Sequence, residues 1–349
     1  MKSSFVRRSI RRLQAYVPGE QPRLKGLVKL NTNENPYSPS RKVTRAIQRK
    51  LSDGLRLYPD PTSDRLRARI AEVYGFRMDQ VIVGNGSDDI LRMCLQAFVD
   101  EEGTVQFPEP TYSLYPVLAE IQNGRVRQAP FGAAFQLDPR SLHPDASVTF
   151  IANPNAPSGT LLPTKILAEI SRRLKGVLVI DEAYADFARA NSLDLARRAR
   201  NVLVTRSFSK SFALAGIRLG FAMGSKELVA ALFKVKDSYN VDCLAQVAGE
   251  AALADMGYHR RCVGRVVRTR EWLCRELGRR GWVSFPSEAN FLFSRPPRYP
   301  AAAWMQKLRE RKILVRWFDG PRTRDYLRTT IGTPAQMRRF VAAVDEIHR

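Results

Sequence analysis

The chain is poor in cysteine and poorer still in histidine, with four and three among 349 residues. Cys94, Cys243, Cys262 and Cys274 form no Cys-x-x-Cys pair, and histidine is too scarce near them to complete a zinc site. No metal is expected. The thiols read as buried or incidental groups in a reducing compartment, which argues against a disulfide-built fold. Long apolar runs are absent too. None approaches the ~18 residues of a membrane helix, so a soluble, cytoplasmic protein with no membrane partner is expected. The start lacks a secretory apolar core. Met1 to Leu13 also lacks acids and is rich in arginine, as transit peptides are. Internal repeats and low-complexity linkers are missing.

What the chain has in excess is positive charge: 57 Lys+Arg against 34 Asp+Glu, a formal net charge of +23. The excess is dispersed over Arg7-Arg8, Arg11-Arg12, Arg65 to Arg69, Arg172-Arg173, Arg197 to Arg200, Arg260-Arg261 and Arg279-Arg280. No DNA-reading motif organises it. A basic solvated surface is favoured over a nucleic-acid site, and an anionic small substrate is compatible with it. Hydrophobic residues make up 44%, enough for packed interiors. The length exceeds the ~250–300 residues at which single cores stop growing, so two domains are expected.

Strand and helix patterns alternate between about residues 65 and 235. Helices are expected over 65–74, 88–99, 111–120, 164–174 and 227–235, and strands over 81–83, 104–107, 148–152, 177–180 and 201–205. Such alternation implies a mostly parallel sheet covered by helices on both faces. Beyond about 245 the pattern changes. A long helix over 245–277 leads to strands over 282–286 and 290–294, a helix over 301–311, strands over 313–316 and 326–331, and a final helix over 334–348. This second piece is α+β, and the break near 240–245 reads as a hinge between packed domains.

Ligands of open α/β sheets bind beyond the carboxyl ends of the strands, and four segments put polar groups there. Val81-Ile82-Val83-Gly84-Asn85-Gly86-Ser87-Asp88 runs from a strand through a glycine turn into a helix. Free N–H groups and the positive end of the dipole suit a phosphate there. Val177-Leu178-Val179-Ile180-Asp181-Glu182-Ala183-Tyr184 ends an apolar strand in an acid. A buried carboxylate needs a cationic partner, and a protonated pyridine nitrogen would serve. Ser207-Phe208-Ser209-Lys210-Ser211-Phe212-Ala213-Leu214-Ala215-Gly216-Ile217-Arg218 sets a lysine among small and apolar residues, where it loses its charge more readily and acts as an amine nucleophile. Tyr112, after Phe107-Pro108-Glu109-Pro110-Thr111, is placed to stack on a flat ring.

Taken as a set, Asp181-Glu182-Ala183-Tyr184, Ser207-Phe208-Ser209-Lys210 and Arg218 resemble the fold type I, class II aminotransferases. The resemblance implies an α/β fold with a large, mostly parallel sheet domain and a smaller α+β C-terminal domain. The corresponding division is an N-terminal arm over the active site (1–40), a large pyridoxal-phosphate-binding domain (41–244) and a small domain (245–349). It implies pyridoxal 5'-phosphate as cofactor and Lys210 as its Schiff-base lysine and proton carrier. Asp181 would pair with the pyridine nitrogen, Tyr184 with the ring oxygen, and Tyr112 with the ring face. Gly86, Ser87, Asp88, Ser207, Ser209 and Arg218 would surround the phosphate. The family usually has asparagine directly before Pro-Thr-Gly, bonded to the ring oxygen. Here that position is Ala156, which leaves Asn155 as its substitute or Tyr184 acting alone.

Further stretches are similar to the histidinol-phosphate aminotransferase family. They are Tyr16-Val17-Pro18-Gly19-Glu20, Leu30-Asn31-Thr32-Asn33-Glu34-Asn35-Pro36, Arg56-Leu57-Tyr58-Pro59-Asp60, Asp237-Ser238-Tyr239-Asn240-Val241-Asp242, Ile313-Leu314-Val315-Arg316-Trp317-Phe318 and Leu327-Arg328-Thr329-Thr330-Ile331-Gly332-Thr333. The basic start runs straight into Tyr16, so it is expected to be a mature arm. The resemblance implies transamination between L-histidinol phosphate and 2-oxoglutarate in histidine biosynthesis. It assigns substrate contacts to Tyr16, Asn33, Tyr239, Arg316 and Arg328, with Tyr58 from the neighbouring subunit of a homodimer with shared active sites. Arginine suits a site that takes a phosphate in one half-reaction and a carboxylate in the other. An aromatic amino acid aminotransferase and a phosphothreonine-type decarboxylase remain open on the same residues.

Overall fold

The computed structural model describes residues 5–51 and 54–349. The first four residues of the expected basic arm lie outside the described residues. The large sheet has seven strands. In spatial order these are Val81–Gly84, Gly220–Gly224, Val202–Ser207, Val177–Asp181, Val148–Ala152, Thr104–Glu109 and Arg125–Pro130. The middle strands are short runs rich in valine, isoleucine and leucine, buried on both faces as a helix-covered sheet requires. All neighbours run parallel except Gly220–Gly224, which is antiparallel to both strands it joins. That strand and Arg125–Pro130 were not expected from the sequence. The first has glycine at both ends, and the second exposes its first four residues, Arg125, Val126, Arg127 and Gln128. Neither carries the apolar run that marks the others.

The C-terminal part builds a four-stranded antiparallel sheet, ordered Arg316–Trp317, Leu327–Thr330, Phe291–Arg295 and Val283–Ser284. Its core holds Trp304, Phe340, Leu273, Leu277, Trp282 and Met337. The expected strand over 313–316 is two. Ile313–Leu314 pairs in parallel with Val28–Lys29, and Arg316–Trp317 pairs with Leu327–Thr330. Val28 and Leu30 are thereby buried in the C-terminal core, which pins the arm to it.

The long helix expected over 245–277 is also two, Cys243–Leu253 and Met256–Arg279. Asp255 interrupts it by accepting from Tyr258 N–H and from Ser40 Oγ. An aspartate that caps a new helix start offers the backbone an alternative to continuing the old one. Cys243–Leu253 packs on Arg41–Leu51 and Asp64–Tyr74. On this packing we propose that the large body continues to residue 253 rather than 244. Among the described residues no helix is long and apolar enough to cross a membrane.

Candidate active site

Asp181 ends the strand Val177–Asp181 in the interior, 5% exposed. Three donors converge on its carboxylate: the Tyr115 hydroxyl at 3.0 Å, the Ala183 N–H at 3.2 Å and the Thr205 hydroxyl at 3.3 Å. No cationic side chain pairs with it among the described residues. Burial, only partly opposed by these donors, pushes its carboxyl from the ordinary 3.8 up to about 6. A buried carboxylate with donors and no cation fits a positively charged ring nitrogen. Sequence reasoning missed Tyr115. It is fully buried, stacked on Phe150 at 4.9 Å, and its partner lies 66 residues away, so no local pattern marks it.

The raised carboxyl has a consequence for the cofactor-free protein. The stability contributed by the neutral acid is fully present below about 3.8 and is lost as pH rises through about 6. Asp181→Asn, which cannot ionise, is therefore expected to gain on the parent in thermal stability across that window. Tyr115→Phe removes a donor to the carboxylate and should move the window to higher pH. Melting temperatures of the cofactor-free proteins against pH check this. A pH-independent difference between parent and Asp181→Asn would refute it.

Lys210 lies just past the end of the strand Val202–Ser207. Its Nζ donates to the Thr32 carbonyl at 3.3 Å and lies 5.9 Å from the Tyr184 ring centroid. The arm grips this segment from the other side. Asn35 Nδ2 donates to the carbonyls of Lys210 and Ser211, each at 3.0 Å. Asn33 Nδ2 donates to the Tyr184 hydroxyl at 3.0 Å. Asn33 itself is fixed by Thr330 and Asn290 of the C-terminal sheet region. The stretch 31–35 thus ties Lys210, Tyr184 and the small body together.

The turn Gly84–Ser87 opens the helix Ser87–Phe98, whose first N–H groups are free for an anion. Gly86 adopts φ +85°, and a Cβ there would lie 2.8 Å from Arg218 Nη2. Only glycine lets the guanidinium approach so closely. Arg218 reaches Asp88 Oδ2 at 3.3 Å and Ser209 Oγ at 3.5 Å, while Ser207 Oγ accepts from Ser209 N–H at 3.0 Å. The Asp88 carboxylate partners Arg218 and also accepts from the Tyr112 hydroxyl at 3.2 Å. Being negative, it can offer a phosphate only its backbone N–H. Tyr112 meets Tyr16 of the arm edge-on at 5.9 Å.

Arg316 and Arg328 stand directly opposite each other on neighbouring antiparallel strands. Arg328 donates to the Asn31 carbonyl at 2.9 Å and lies over Phe291 and Phe318. Its Nε is buried without a partner. Burial lowers its pKa and Arg316 lowers it further, yet a guanidinium stays charged at any ordinary pH. Arg316 donates to the Val17 and Pro18 carbonyls at 3.2 and 3.4 Å. Neither has a carboxylate partner among the described residues. The carboxylate of Glu20, in the same arm, is taken by Arg309 at 2.7 Å. Like charges directly opposite across strands destabilise a sheet, and an anion between the two forks would offset that cost.

The remaining polar and aromatic groups near the site make contacts of their own. Asn155 does not replace the missing asparagine. Its Oδ1 accepts from Thr111, and its Nδ2 donates to the Pro110 carbonyl and Ser158 Oγ, so the amide is consumed in tying its loop to the segment after Thr104–Glu109. Ala156 instead packs with Ala289, Phe291 and Tyr184, an apolar contact that an amide would break. Tyr58 and Tyr239 stack on each other at 4.4 Å. Among the described residues they share no hydrogen bond or ring contact with Lys210, Arg316 or Arg328. Arg206, which the sequence leaves unmarked, is buried beneath the site and bonds Glu182 at 2.8 Å and Asp186 at 2.6 Å. Asp186 in turn accepts from the Ser211 hydroxyl, next to Lys210.

The profile of the family "Aminotransferase class I and II" matches residues 25–344. A histidinol-phosphate aminotransferase of Geobacter sp. (strain M21) is 45% identical over 345 residues, covering 98% of this chain and 98% of that protein. One of Microcystis aeruginosa (strain NIES-843) is 42% identical over 342 residues, again covering 98% of each. The fold is similar to the crystal structure of histidinol-phosphate aminotransferase from Sinorhizobium meliloti in complex with pyridoxal-5'-phosphate, with a TM-score of 0.85 at 23% identity over 92% of this chain and 90% of that one. The enzyme of Clostridium acetobutylicum gives the same TM-score at 22% identity over 92% and 99%. A family match over nearly the whole chain, and relatives this close end to end, lead to one conclusion: the chain belongs to the class I and II aminotransferases.

Proposed function

We propose that the protein is a pyridoxal-5'-phosphate-dependent transaminase that exchanges the amino group between L-histidinol phosphate and 2-oxoglutarate, in histidine biosynthesis. When bound, the cofactor supplies an aldehyde for the amino group and an electron sink for the carbon that loses a proton. The chain's own groups supply the rest. Lys210 Nζ is the amine that holds the cofactor and carries the proton. Asp181, kept in place by Tyr115 and Thr205, keeps the ring nitrogen protonated. Tyr184, fixed by Asn33, meets the ring oxygen, and Tyr112 lies against the ring. The N–H groups of Ser87 and Asp88, with Ser207, Ser209 and Arg218, hold the phosphate. Tyr16 and the arm keep water out of the cleft.

The observation that carries the substrate reading is the opposed pair Arg316 and Arg328 with no carboxylate of its own. Two forks suit a phosphate in one half-reaction and a carboxylate in the other. The close relatives' names agree with a phosphorylated amine. The exposed Tyr58–Tyr239 pair, 80% and 44% exposed, fits a cytoplasmic homodimer in which Tyr58 serves the neighbouring site.

Arg328→Ala is expected to weaken both half-reactions, and Arg316→Ala to weaken histidinol phosphate more than glutamate. Loss of a charge-assisted bond to a desolvated anion costs about 1.5–3 kcal/mol, or roughly ten- to a hundred-fold in kcat/KM. The two half-reactions, measured separately on each variant, decide the matter. Equal losses for Arg316→Ala would favour an aromatic amino acid aminotransferase, and carbon dioxide release a decarboxylase.

A further inference from the structure

A second concave site lies on the small body, apart from Lys210. The helices Met256–Arg279 and Pro334–His348, with Tyr37 of the arm, line a cavity of about 360 Å³. Arg265, Arg268, Thr269 and Trp272 come from one face of the first helix, at helical spacing, and Arg338 comes from the second. The Arg265 guanidinium lies 3.9 Å from the centroid of the Tyr37 ring, which holds it in place.

The three arginines are unlike their neighbours. On the same helix, Arg279 and Arg280 pair with Glu276, and Arg280 also with Asp345. Arg270 is buried and donates to the carbonyls of Phe187 and Ala289. Arg265, Arg268 and Arg338 have no carboxylate partner among the described residues, and no acid lines the cavity. Three clustered cations without an acid make a local positive potential, and guanidinium forks match phosphate oxygens. The same cavity presents two aromatic side chains, Tyr37 and Trp272, and the Tyr37 hydroxyl is buried without a partner. The volume falls in the ~300–1,000 Å³ range of small-molecule sites.

We propose that this cavity binds a small organic phosphate bearing a planar ring, of the nucleoside-phosphate class. The arginines take the phosphates, and Trp272 and Tyr37 take the ring. Its occupant would rest on the segment that fixes the catalytic lysine, because Tyr37 N–H donates to Asn35 Oδ1 at 3.0 Å and Asn35 holds the carbonyls of Lys210 and Ser211.

The test is calorimetric titration of the cofactor-loaded full chain with ADP and, separately, with inorganic pyrophosphate. The parent is expected to bind ADP at one site per chain. Arg268→Ala/Arg338→Ala should weaken ADP by roughly a hundred-fold or more, as two charge-assisted contacts are lost. Both arginines are exposed, so the double variant should keep its circular dichroism and its transaminase rate. Trp272→Leu should weaken ADP by about tenfold and leave pyrophosphate unchanged. Arg316→Ala should leave ADP binding intact. No binding of ADP by the parent at about 1 mM would overturn the proposal. So would undiminished binding in the double variant, or loss of binding in Arg316→Ala, which would put ADP in the catalytic cleft. Pyrophosphate binding as tightly as ADP would remove the ring from the proposal.

Discussion

Lys210→Ala is expected to lower transamination by roughly ten-thousand-fold or more, because one amine serves as both covalent anchor and proton carrier. The Lys210 Nζ is held between the Thr32 carbonyl and the Tyr184 ring, and the nearby carboxylate of Glu34 is paired with Lys29. The variant should still retain cofactor through Asp181, Ser209 and Arg218, so lost activity and lost binding are separable. Lys210→Arg keeps the charge without a free amine and should be equally inactive. Turnover and visible cofactor absorbance, measured on both variants, check the assignment. A parent protein that shows no such absorbance after addition of pyridoxal phosphate would refute the whole functional reading.

Arg206→Met is expected to destabilise the fold by about 3–5 kcal/mol, the usual cost of stripping the partner from buried charges. Among the described residues Arg206 is the one cation bonded to both Glu182 and Asp186, which lie in the interior just past the strand Val177–Asp181. Burial alone would raise Asp186, but Arg206, His259 and Ser211 together hold it well below the usual carboxylate range. Without Arg206, two carboxylates share a dry site and one must take up a proton. The damage should spread to the catalytic loop, since Asp186 accepts from the Ser211 hydroxyl at 2.5 Å and His259 of the small body lies 3.4 Å from the same carboxylate. Chemical unfolding of the parent, Arg206→Met and Glu182→Gln measures it. A loss for Arg206→Met below about 1 kcal/mol would mean that the network relaxes or hydrates, and that its burial does not set its energy.

The groups we propose for the chemistry were legible because each sits in a short, contiguous stretch. Asp181 and Tyr184 lie three residues apart after an apolar strand, and Lys210 and Arg218 flank one loop. The groups that position them were not legible. Tyr115 reaches Asp181 across the sheet, Asn35 reaches Lys210 from the arm, and Arg206 is one arginine among many until its strand is seen to run beside Val177–Asp181. Asn155 shows the reverse error. Its type and place suited the ring oxygen, but hydrogen bonds with Thr111, Pro110 and Ser158 claim its amide.

The sequence by itself determined the alternating strands and helices of the large body and the final helix Pro334–His348 to the residue. Periodicity, strand-end polarity and capping are local, and local patterns survive in one dimension. Only the tertiary structure decided that Gly220–Gly224 completes the sheet, that Val28–Lys29 pairs with Ile313–Leu314, and that Asp255 ends one helix and starts another. It alone brought Arg316 opposite Arg328 and left both without an acid. Strand register and charge pairing join residues far apart in the chain, and their energy depends on what else is buried beside them.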